Sequence, residues 1–99
     1  MIGGFKVEEG KRLIITVLGY DKVGIIAAIS TILAENNINI LDISQTILQG
    51  FFTMVMVVDS AESKVDIAEL RDLLDQKGRE MELQITVQHE DIFKFMHRI

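Results

Sequence analysis

The stretch LGYDKVGIIAAIS, Leu18 to Ser30, sets a turn-forming GYDKVG between an apolar run with strand character and an apolar run with helix character. A strand that ends near Gly19, turns through Asp21 and Lys22 and restarts as a helix at Gly24 leaves several backbone N–H groups free at the helix start. Such a place holds an anion or is simply a capped turn. On its N-terminal side RLIITVL, residues 12–18, is short, β-branched and apolar at nearly every position, which predicts a central strand buried on both faces. On its C-terminal side Ile25, Ile26, Ile29, Ile32 and Leu33 recur at helical spacing, and Asn36 with Asn37 closes the helix, because Asn tolerates the left-handed conformation.

Further along, residues 38–48 alternate, with Asn39, Leu41, Ile43, Gln45 and Ile47 on one side and Ile40, Asp42, Ser44 and Thr46 on the other. Gln49 and Gly50 separate this run from FFTMVMVVD, residues 51–59, so the two strands form an antiparallel hairpin. After a polar loop, Ser63 three residues before Asp66 has the form of a capping box. It precedes a helix with Ile67, Leu70, Leu73 and Leu74 on one stripe and Gly78 as its stop. MELQITVQ, residues 81–88, is a period-two strand. In the tail, Ile92, Phe93, Met96 and Ile99 fall at helical spacing, which predicts a short final helix with Phe93 and Met96 buried. The order β-α-β-β-α-β is the split βαβ pattern: an α+β ferredoxin-like sandwich, a four-stranded antiparallel sheet with two helices on one face. Residues 1–10 are Gly-rich and charged without a period, so the expected division is an extension over 1–10 and a single domain over 11–99.

Composition narrows what such a domain can do. The 99 residues suit one core, and 48% hydrophobic content with a mean hydropathy of +0.29 points to surface covered by a second copy. The formal charge of −5, fifteen acids against ten bases with no basic cluster, disfavours nucleic acid. No run approaches the ~20 apolar residues of a membrane span, so a soluble, cytoplasmic protein is expected. The chain has no Cys, which excludes thiolate metal sites and thiol nucleophiles. A phosphoryl-transfer enzyme on this fold needs an Arg in the loop after the first strand, where only Lys22 is basic. Phe51 and Phe52 resemble RNA-stacking aromatics but lack basic flanks, and packing accounts for them better. His89 and His97 match no metal-ligand spacing, and no nucleophile, base and orienting group can be assembled. The expectation is a non-enzyme without metal or cofactor.

ITVLGYDKVGIIAAIS followed by LAENNINILDISQ resembles the ACT domain, the regulatory module that senses amino acids and other small metabolites. The likeness runs from Arg12 to Gln88. DKVGI with DISQT and a hairpin at Phe51 is most similar to small stand-alone ACT proteins and to the ACT domains of glycine cleavage system transcriptional repressors. Many ACT domains carry Pro just before the Gly that corresponds to Gly24, whereas Val23 stands here. The resemblance implies a homodimer that binds an amino acid, with regulation exerted through a separate protein. It places the ligand carboxylate on N–H groups around Gly24, Ile25 and Ile26, the ammonium on Asp21, and the amide of Asn39, at the start of the partner's second strand, nearby. Alternatively Asp21 only caps the helix, Gly24 relieves crowding against the sheet, Asn39 binds its own turn, and the protein is a ligand-free interaction module.

Overall fold

The computed structural model describes residues 11–91. The expected extension over 1–10 and the tail helix beyond Asp91 lie outside them. The elements follow the predicted order: β1 (Arg12–Tyr20), α1 (Ile25–Glu35), β2 (Asn39–Leu48), β3 (Phe51–Asp59), α2 (Ile67–Met81) and β4 (Leu83–His89). The strands form one antiparallel sheet in the order β2-β3-β1-β4. This is the ferredoxin-like α+β sandwich, with both helices on one face.

The inner face takes alternate residues from the two central strands. Leu13, Ile15 and Val17 of β1 stand opposite Val58, Met56 and Met54 of β3, and all six are buried. Onto them α1 lays Ile25, Ile29 and Leu33, one per turn, and α2 lays Leu70 and Leu74. Burying each such side chain contributes roughly 1.5–3 kcal/mol, so this layer dominates stability. β1 is central as expected, but its outer face opens along its length: Ile14 is 7% exposed, Leu18 46% and Tyr20 65%. The hairpin turn has Gln49 and Gly50 both at positive φ, 52° and 85°, as a two-residue turn matched to strand twist requires. Asn36 and Asn37 end α1 as predicted, Asn37 at φ 61° and the Asn36 side-chain amide donating to the Ile32 carbonyl at 2.8 Å.

Four local expectations are corrected. The capping box is formed one step later: the Asp66 carboxylate accepts from the Glu69 N–H at 2.8 Å and the Glu69 carboxylate from the Asp66 N–H at 3.3 Å. Ser63 instead closes a small turn on Val65. Gly78 does not stop α2; it is buried inside the helix, where a Cβ would meet the Leu83 carbonyl oxygen at 2.7 Å. Met81 is the last helical residue rather than the first of β4, and Glu82, at φ 59°, makes the turn between them. Finally, β2 carries a bulge at Leu41: Ile40 pairs with Val58 but Asp42 with Val57. The extra residue moves Ile40 onto the helix side of the sheet with Ile43, Gln45 and Ile47, away from Asp42, Ser44 and Thr46.

Candidate functional site

The loop between β1 and α1 is held from two sides. The Asp21 backbone N–H donates to the Gly50 carbonyl at 2.8 Å, tying the loop to the β2–β3 turn. The Lys22 ammonium donates to the Met81 carbonyl at the C-terminal end of α2, where the helix dipole favours a cation. Beside this anchor Tyr20 stacks on Phe51, ring centroids 4.9 Å apart and planes 22° from parallel. Neither clamp is visible as a sequence motif, since each joins segments far apart in the chain.

Between the clamps the start of α1 is open. Gly24 is the N-cap residue, left-handed at φ 93°, and no side chain caps the helix. Its carbonyl accepts from the Ala28 N–H at 2.9 Å, so the helix begins properly, yet the N–H groups of Ile25, Ile26 and Ala27 have no partner among the described residues. The first turn holds no acidic residue, which leaves its positive dipole end uncompensated. The Asp21 carboxylate is exposed and makes no hydrogen bond or ion pair among the described residues. Two bland explanations therefore fall: Asp21 does not cap α1, and Gly24 relieves no crowding, because a Cβ there would meet nothing within 4 Å. Gly24 is needed for its backbone conformation, and the space over it is free. Of the neighbouring residues, Ile25 is buried in the core and Ile26 is partly exposed.

Asn39 is not brought to this loop within one chain. It opens β2 opposite Asp59, and α1, eleven residues or about 16 Å long, separates it from Gly24. There it lines a cleft of about 260 Å³ with Asn37, Asp59 and Glu62. The side of the molecule bearing α1 and β2 is apolar and open. Leu41, Ile43 and Ile47 on β2 are 39–54% exposed, Ile26 on α1 is 36% exposed, and β2, whose single charge is Asp42, is an edge strand with no outer partner among the described residues. Apart from the bulge at Leu41, this long edge carries one charge and no Pro, so it has little of what discourages sheet edges from pairing. Among the described residues no cluster of His, Asp and Glu has metal-site geometry, and no helix is long and apolar enough to cross a membrane.

The same pattern of loop, helix and hairpin recurs in known proteins. A UPF0237 protein of Methanocaldococcus jannaschii is 56% identical over 88 residues, 89% of this chain and 98% of that one. The structure of an ACT domain protein from Streptococcus pneumoniae matches with a TM-score of 0.73 and 44% identity over 83% of this chain and 92% of that one. A putative glycine cleavage system transcriptional repressor shares the fold at a TM-score of 0.67 and 21% identity, over 79% of this chain and 44% of that one. The family model described as ACT domain matches residues 11–88, from the last residue before β1 into β4. The open loop after β1, the uncapped α1 and the sandwich beneath them thus stand in a chain that belongs to the ACT domain family.

Proposed function

We propose that this protein is a regulatory, non-catalytic module that binds a free amino acid or a related metabolite between two copies of itself, in the cytoplasm, and acts through a separate protein. ACT domains are in general regulatory ligand-binding modules. The observation that carries the reading is the pairing of an unpartnered Asp21 carboxylate with an uncapped helix start at Gly24. These are two opposite charges, one localised and one from the dipole, on one short loop. A zwitterion satisfies both: its carboxylate accepts from the N–H groups around Gly24, Ile25 and Ile26, and its ammonium lies against Asp21.

Two-fold pairing along the β2 edge supplies the remaining wall. In an antiparallel pair of identical strands the start of one lies beside the end of the other. The end of β2, at Leu48, pairs with Phe51, which in turn pairs with Tyr20, the residue before Asp21. Asn39 of the partner subunit therefore comes to the end of the sheet that holds the loop, where its amide can donate to or accept from the ligand. The exposed Ile26, Leu41, Ile43 and Ile47 are buried in the same step.

A thermal-shift screen of the twenty amino acids identifies the ligand, because binding to the native state alone raises the midpoint. Asp21→Ser should then keep the parent's unliganded melting temperature, since Asp21 caps nothing, and weaken binding of that amino acid at least tenfold by calorimetry. Parent-like affinity in Asp21→Ser removes Asp21 from the site; no shift with any amino acid favours the ligand-free interaction module instead.

A further inference from the structure

The sheet has a second edge. β4 ends the strand order beyond β1, and its residues Leu83–His89 include no Asp, Glu, Lys, Arg or Pro, the residue types that discourage one strand edge from pairing with another. The direction of its free backbone groups follows from the ladder, because successive residues of a strand turn their N–H and C=O groups to opposite sides. The Ser60 N–H donates to the Lys11 carbonyl at 2.9 Å, so the odd-numbered residues of β1 face β3 and the even-numbered ones face β4. Ile14, Thr16 and Leu18 pair with Gln88, Thr86 and Gln84. Leu83, Ile85 and Val87 therefore turn their backbone groups outward, away from the sheet. α2 lies against them: at one end a Cβ on Gly78 would meet the Leu83 carbonyl oxygen at 2.7 Å, and at the other the Arg71 Nε–H donates to the Val87 carbonyl at 3.0 Å. Arg71 stands in a cleft of about 380 Å³ that runs between α2 and residues 85–88. α1 packs much less closely against β2, so of the two sheet edges one is covered by its helix and the other is not.

We propose that Arg71 closes the β4 edge to strand pairing and thereby ends the assembly at two copies. The end point rests on the β2-paired dimer proposed above; the closing of β4 does not. In that dimer the joined sheet runs β4-β1-β3-β2 and then β2-β3-β1-β4, so both of its outer edges are β4. An antiparallel β4–β4 pair would obey the same two-fold rule as β2–β2 and would recur at each end without limit. The strand itself, without charge, offers no repulsion against that growth. The Arg71 guanidinium opposes it in two ways. It occupies the Val87 carbonyl, which an incoming strand would need as an acceptor, and it sets a cation on the edge, so that a two-fold pair would bring a second such cation to the same seam.

The test uses the full chain with Arg71→Met, which keeps an apolar stem and removes the charge and the donors, and Arg71→Lys, which keeps a cation and a donor. Arg71→Ala provides an independent loss variant, and circular dichroism verifies that each is folded. By light scattering the parent and Arg71→Lys should hold one mass as concentration is raised through the micromolar range, whereas the mean mass of Arg71→Met and Arg71→Ala should climb. Hydrogen exchange locates the new contact: the amides of Ile85 and Val87 should exchange at least about tenfold more slowly in the two loss variants than in the parent, because a neighbouring strand accepts from them. Folded loss variants with the parent's mass overturn the proposal. So does growth without added protection at Ile85 and Val87, or growth in Arg71→Lys equal to that in Arg71→Met. A parent mass of one chain overturns the β2 pairing instead; Arg71→Met should then stop at two chains, with the same two amides protected.

Discussion

Replacing Gly78 by Ala sets two effects of opposite sign against each other. In the interior of a helix the change is favourable by about 1 kcal/mol, because Gly loses more backbone freedom on folding. Here the new Cβ would lie 2.7 Å from the Leu83 carbonyl oxygen and 3.5 Å from two carbons of Ile85. The oxygen belongs to backbone, so the helix or the strand must move rather than a side chain turn. Leu83 cannot retreat easily: it pairs with Gly19, where a Cβ would itself meet the Leu83 side chain at 2.7 Å. Overpacking of this kind costs about 1–3 kcal/mol, with the upper end fitting a backbone contact. The net prediction is a loss of about 1–2 kcal/mol, or roughly 4–15 °C in melting temperature for a domain of this size. Urea unfolding of Gly78→Ala and Gly78→Asn should show Asn the worse, since it is the larger. At Gly24, left-handed with empty space above it, the order should reverse, with Ala costing about 1–2 kcal/mol and Asn less. Gly78→Ala as stable as the parent, or the same rank order at both glycines, would refute the assignment of close packing to one and backbone conformation to the other.

Asp66→Ala should lose about 1 kcal/mol by removing the capping box of α2, whereas Ser63→Ala should change unfolding free energy by less than that. Ile29→Ala, which empties a fully buried position between α1 and the sheet, should cost about 2–5 kcal/mol in the same urea assay. Arg79→Ala should shift the melting temperature hardly at all, because its ion pair with Asp75 lies in water and is worth at most about 0.5 kcal/mol.

The features legible in the sequence are those set by local pattern. The hairpin rests on a short link that contains Gly50, the end of α1 on two Asn, and the layer of Leu13, Ile15 and Val17 under Ile25, Ile29 and Leu33 on hydrophobic period. What sequence spacing missed was decided by contacts between distant segments. Gly78 carries the same residue signal as a helix stop, and only the approach of Leu83 gives it another purpose. The bulge at Leu41 follows from how β2 registers on β3, which spacing within β2 cannot reveal. The capping box was legible in principle: Asp66 with Glu69 fits the pattern better than Ser63 with Asp66, because Glu at the third position reaches back to the cap. In the candidate site, the conformational need for Gly at 24 was readable from the turn, but the freedom of the Asp21 carboxylate and the clamps at Gly50 and Met81 were not. The separation of Asn39 from that loop within one chain follows from the helix between them.

Binding at the helix start is measured most directly by following the backbone amide resonances of isotope-labelled protein while the amino acid that raises its melting temperature is added. The account predicts that the amides of Gly24, Ile25 and Ile26 and the side-chain amide of Asn39 move together with one saturating dependence on ligand, while amides around Arg71 and Gln88, beside β4 at the opposite edge of the sheet from β2, stay still. Saturable shifts confined to the cleft beside Asn37 and Glu62, with Gly24 to Ile26 unmoved, would contradict it.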